Sequence, residues 1–188
     1  MNSRHSSRLR QTPRHQRPTG ANDPVRRRDN AAARSSAQPP NDAASLELRR
    51  FVAAPPDRVF DAWTDASVIP QWFKPGGVPL RHVRLELRVG GRWQMTMGTS
   101  GERELAGWGE FREIDRPRRI VYTWNWAPDP VGRETIVTVD FLERDRGTEI
   151  VIRHEGFPAA RARDQHHGGW VACLAAMASL FPDSQTRQ

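Results

Sequence analysis

LELRRFVAAPPDRVFDAWTDASVIPQWFKPGG (Leu46–Gly77) begins with one hydrophobic period and ends with another, and that switch decides the fold. Leu46 and Leu48 alternate with charged residues ahead of Pro55-Pro56, so Leu46–Val52 reads as a strand. The double proline then opens a helix, because the first helical turn needs no N–H donor. Val59, Phe60 and Trp63 recur at helical spacing and give that helix one apolar face. Asp65 is expected to cap a second short helix carrying Val68, Ile69, Trp72 and Phe73, with Pro70 limiting its regularity.

Downstream the period falls to two. Val83, Leu85, Leu87 and Val89 alternate up to Gly90-Gly91, a hairpin signal, and Trp93, Met95 and Met97 alternate on the return. Further strands are expected at 104–114, 120–126, 134–142 and 148–154, broken by Pro117, by the Pro128–Gly132 stretch and by Arg146-Gly147. From Arg161 the helical period returns through Trp170, Val171, Leu174, Met177, Ala178 and Phe181. A long terminal helix with one apolar stripe needs a surface to cover, and a curved antiparallel sheet provides one.

Charge divides the 188 residues unevenly. Residues 1–45 hold nine arginines against Asp23, Asp29 and Asp42, a net of +6 out of +7 for the whole chain. That segment has almost no large apolar side chain and is expected to be a disordered tail, since it buries too little to offset the entropy of ordering. It reads as a solvated extension or the product of a misplaced start codon, with weak nonspecific nucleic-acid contact through its arginines as the other reading. The domain is expected over 46–182 and a short tail over 183–188.

Cys173 is the only cysteine, which excludes an internal disulfide and the usual multi-thiolate zinc sites. No apolar run reaches the roughly 20 residues that span a bilayer, and the arginine-rich start lacks a secretory core. A cytoplasmic protein is expected.

The joint order of these motifs resembles the helix-grip fold of the START-like (SRPBCC) superfamily, and within it the domains homologous to the C-terminal half of the heat-shock chaperone ATPase activator. The stretch from Phe51 to Gly77 carries that resemblance together with Gly90-Gly91-Arg92-Trp93, GWGEFREIDRPRRIVYTW (Gly107–Trp124), GTEIVIRHEGF (Gly147–Phe157) and Gly169-Trp170 with Leu174. The resemblance implies an α+β fold: a curved antiparallel sheet of about seven strands wrapped on a long C-terminal helix, with two short helices after the first strand. It also implies a cavity between helix and sheet for hydrophobic or amphipathic small molecules. Chaperone activation is not implied, because the activator owes much of it to a separate N-terminal domain.

The expected pocket residues are Trp63, Trp72, Phe73, Trp93, Met95, Met97, Trp108, Tyr122, Trp124, Phe141, His154 and Trp170, an aromatic and methionine set suited to an irregular apolar space. A filled interior is the alternative. His154 shares strand parity with Ile150 and Ile152, and Arg50, Glu110 and Tyr122 are the other inward polar candidates. No nucleophile, paired carboxylate or phosphate loop accompanies them, so no catalytic set and no cofactor is expected. His166 and His167 point roughly 100 degrees apart on a helix and cannot chelate one ion together; a site joining His154 to His166 with Glu155 or Asp164 is the remote metal reading. The expected function is non-enzymatic binding of a hydrophobic small molecule, with a stress-related accessory role. The alternatives are an enzyme of the polyketide cyclase or aromatase kind, using His154 or Tyr122, and a protein-interaction module for a chaperone or regulator.

Overall fold

The computed structural model describes residues 45–98, 104–127 and 133–182. Residues 1–44 and 183–188 lie outside the described residues, and with them all of the two expected tails but Ser45, which opens β1.

The chain runs β1 (Ser45–Val52), α1 (Pro56–Thr64), α2 (Ile69–Trp72), a 3-10 turn (Pro75–Gly77), β2 (Leu80–Leu85), β3 (Arg92–Met97), β4 (Leu105–Asp115), β5 (Arg119–Ala127), β6 (Thr135–Arg144), β7 (Gly147–Glu155) and α3 (Ala160–Ser179). One seven-stranded antiparallel sheet results, in the order β1-β7-β6-β5-β4-β3-β2. This is the expected helix-grip arrangement, with β1 and β2 as the edges and α3 against the concave face.

Register explains which residues meet α3. Tyr122 pairs with Val137, which pairs with His154, and Ile120, Val139 and Ile152 form the adjacent row. All six are buried, as are Trp170, Cys173, Leu174 and Met177 on the facing stripe of α3. Burying one such aliphatic or aromatic side chain contributes about 1.5–3 kcal/mol, so these rows hold helix and sheet together. Pro56 starts α1 as expected, and Val59, Phe60 and Trp63 turn its apolar face inward.

Two local expectations need correction. The alternating stretch does not continue as strand to Val89. β2 ends at Leu85, and Leu87 and Val89 are exposed in a wide turn closed by Gly90, whose φ of 76° is left-handed. Asp65 does not cap α2, whose N-cap is Val68. Its carboxylate instead accepts from the Ser67 amide at 2.8 Å and the Ser67 hydroxyl at 2.7 Å, ordering the turn before the helix.

Candidate functional site

The first half of α3 lies beside the 3-10 turn. Gly169 faces the 3-10 turn, where a Cβ would lie 3.1 Å from Pro75 Cβ, whereas Gly168 has nothing within 4 Å. The close approach that Gly169 permits is therefore to the Pro75 turn and not to the sheet. Between this half-helix, the turn and the end of β5 lies an open cleft of about 320 Å³. Phe73, Trp124, Trp126 and Trp170 wall it, with Gln165 and His166 as its polar residues.

Behind the cleft the interior is nearly filled. Only about 40 Å³ remains among Trp63, Trp72, Trp93, Tyr122 and their neighbours, whose rings interlock edge to face and at tilted angles. Phe73, Trp124 and Trp170 border both spaces and so form the partition between them. Trp124 also carries a buried Nε1–H with no hydrogen-bond partner, an unusual state for an interior donor.

His154 sits under this partition, fully buried. Trp170 Nε1–H donates to His154 Nδ1 at 3.2 Å, and indole nitrogen is only a donor, so Nδ1 is the unprotonated nitrogen. The Thr135 hydroxyl gives its proton to Trp124 O at 3.0 Å and accepts from His154 Nε2–H at 2.7 Å. Burial holds the imidazole well below its usual pKa, and neighbouring His166 adds to that shift. The ring is a neutral junction between α3, β5, β6 and β7. His166, 5.1 Å from it between ring centroids, donates through Nδ1 to Ala162 O at 2.8 Å.

Tyr122 is a neutral phenol whose pKa burial raises, against a hydrogen bond with Trp63 that lowers it. Burial likewise pushes the Cys173 thiol up to about 12, although Cys173 borders the cleft. No group of three or more His, Cys, Asp or Glu residues among the described residues could hold a metal, Glu155 and Asp164 included.

Residues 53–182 match the family described as activator of Hsp90 ATPase homolog 1-like protein. The chain belongs to that family. No curated protein matches the sequence. Among solved structures, a protein of Chromobacterium violaceum is 27% identical with a TM-score of 0.69, over 74% of this chain and 99% of that one. An AHSA1 protein of Silicibacter pomeroyi is 23% identical with a TM-score of 0.62, over 73% of this chain and 96% of that one. DynU16, from the dynemicin biosynthetic locus, is 18% identical with a TM-score of 0.59, over 72% of this chain and 46% of that one, a likeness of fold alone.

Within this activator-homologue fold the expected pocket residues separate into groups. Phe73, Trp124 and Trp170 reach the open cleft; Trp63, Trp72, Trp93, Met95 and Tyr122 line the small void and not the cleft. Met97, Phe141 and His154 are buried and line neither. Trp108 is the correction: it is 44% exposed on the opposite face of the sheet. The inward positions beside it are Gly107 and Gly109, where a Cβ would come within 2.9 Å of the Trp126 ring and within 2.6 Å of Trp93 Nε1. Those glycines give the indoles of β3 and β5 their room, and period two then sends Trp108 outward.

Arg50 shares the concave parity, being paired with Ile150, but is exposed at the sheet edge, and Glu110 pairs with Arg112 on the outer face at 2.7 Å. Trp126, Pro75 and Gln165 border the cleft without having been expected there. Trp126 could have been found from its parity with Tyr122 and Trp124.

Proposed function

We propose that this activator-homologue domain is a cytoplasmic, non-catalytic receptor for an apolar or amphipathic small molecule, bound in the cleft between α3 and β5. The observation that carries this reading is the cleft itself: about 320 Å³ walled by Phe73, Trp124, Trp126 and Trp170, with Gln165 and His166 at its polar side. That volume lies at the small end of the range of about 300–1,000 Å³ for small-molecule sites, and an aromatic wall with few polar groups suits a compact, planar ligand. An acceptor atom on the ligand would satisfy the unpartnered Trp124 Nε1–H. Support for the non-catalytic part comes from His154, which commits both ring nitrogens to internal hydrogen bonds, and from Tyr122 and Cys173, which burial keeps protonated.

The test is a thermal-shift screen of aromatic metabolites and fatty acids, with mass spectrometry of small molecules released on denaturation. A ligand that stabilises the wild type and loses that effect in Gln165→Trp, which fills the cleft from its exposed side, supports the reading. Absence of any stabilising ligand and of any released molecule would sink it.

A further inference from the structure

The outer face of the sheet divides into two unlike halves. Over β1, β7, β6 and β5 its charges close on one another. Glu47 accepts from Arg49 and Arg153, Asp140 bridges Arg153 at 2.9 Å and Arg119 at 3.1 Å, and Arg119 reaches Glu113 at 3.5 Å. On β4 such pairing is found beyond Trp108, where Glu110 holds Arg112 at 2.7 Å, and the outward arginines Arg84 of β2 and Arg92 of β3 differ from it. Arg84 and Arg92 make no ion pair among the described residues, and both are exposed.

Register assembles an ordered row on this second half. Arg84 pairs with Gln94, Gln94 with Trp108 and Trp108 with Asn125, so a guanidinium, an amide, an indole and a second amide lie side by side across four strands. His82, Thr96 and Ala106 form the next row. Trp108 on one side and His82 with Arg84 on the other flank a groove of about 540 Å³, with Ala106 and Thr96 between them and no acidic residue in its lining. A large indole left 44% exposed in mid-sheet, across the groove from Arg84 and His82, is a flat stacking surface beside positive charge.

We propose that this face binds single-stranded nucleic acid, one base stacking on Trp108 while Arg84 and Arg92 meet the flanking phosphates. The Gln94 amide stands where a base edge would lie, whereas that of Asn125 donates to Glu134 at 3.2 Å. Charge complementarity selects this occupant: Arg84 and His82 line the groove and no acidic side chain does. The inference is independent of the cleft, which lies on the other side of the sheet.

The experiment uses the full chain and a fluorescein-labelled oligothymidylate, read by anisotropy over a range of salt, beside an abasic oligomer of equal length. Trp108→Ala is expected to weaken oligothymidylate binding by about ten-fold and leave abasic binding unchanged, since the loss is one base-stacking contact. Arg84→Gln is expected to lower the salt slope by about 0.7 for both oligomers, the share of one phosphate contact on a single strand. Both side chains are exposed, and equal thermal unfolding of the variants verifies that the fold is kept. Three results would each overturn the proposal: no binding by the wild type, binding that Trp108→Ala leaves unchanged, or a Trp108-dependent self-association in sedimentation without nucleic-acid binding.

Discussion

Trp170 and His154 meet through a single hydrogen bond, Nε1–H to Nδ1 at 3.2 Å, and that bond fixes the histidine tautomer from the helix side while Thr135 fixes it from the sheet side. The consequence is a fully buried imidazole whose two nitrogens are both occupied in the neutral state. Adding a proton to Nδ1 would set two donors against each other.

Stability should therefore fall in mild acid. The folded pKa of His154 is depressed well below 6.5, so the unfolded chain takes up a proton there that the folded chain refuses. The stability contribution is fully present above the unfolded value and is lost as pH falls from about 6.5 toward the folded value, at up to about 1.4 kcal/mol per pH unit. Urea unfolding across this window should show that slope, and His154→Gln, which can still accept from Trp170 and donate to Thr135, should flatten it. An unchanged slope in the variant would assign the acid sensitivity elsewhere.

Two glycines should respond in opposite directions to alanine. At Gly109 a Cβ would lie 1.8 Å from Thr123 O, a backbone atom that also accepts the Trp93 indole hydrogen bond at 3.0 Å. Gly109→Ala must push β4 from β5 or break that bond, and a loss of about 3 kcal/mol or more is expected, in the range of severe overpacking. Gly168, within α3, has open space around it, so Gly168→Ala should stabilise by about 0.5–1 kcal/mol through helix propensity. Equilibrium unfolding of both variants is the measurement; equal effects would contradict the packing described for β4.

These glycines also mark how far the sequence could be read. The succession of strands along the chain and the α3 stripe at Trp170, Leu174 and Met177 follow from hydrophobic period, which depends only on side chains facing one partner surface. Trp108 was expected inward because an aromatic residue in a strand usually seeks the core, but its side was decided by Gly107 and Gly109, whose absent side chains make room for Trp93 and Trp126. Read as parity, Gly-Trp-Gly does carry that signal. The size of the interior space does not follow from period at all. Whether these aromatic and sulfur side chains leave 40 Å³ or several hundred depends on how Trp63, Trp72, Trp93 and Tyr122 interlock, which is a matter of rotamers.

Cys173 offers a measure of how closed the helix-sheet contact is. Its thiol is buried and its pKa is pushed up to about 12, so at pH 8 only about one thiol in ten thousand would be ionised. The native protein should react with a disulfide reagent far more slowly than the urea-unfolded chain, which should titrate one thiol. Fast labelling of the native state would mean that the cleft opens to Cys173 routinely.

The Trp170–His154 bond can be separated from the packing around it by Trp170→Phe. A phenyl ring keeps much of the stack on Trp63, whose ring lies 6.0 Å away at an interplanar angle of 15°, and the edge contact with Phe73. It removes the N–H, leaving His154 Nδ1 as a buried acceptor with no donor. At pH 7.5 the variant should lose about 1–3 kcal/mol, the cost of an unsatisfied buried group together with the smaller ring. In acid the comparison should narrow, because protonation at Nδ1 no longer opposes an indole N–H and the folded pKa of His154 rises toward its unfolded value. The slope of stability against pH should thus be shallower in Trp170→Phe than in the wild type. Parallel pH curves would show that burial and His166 depress His154 on their own, with the indole hydrogen bond contributing nothing to its charge state.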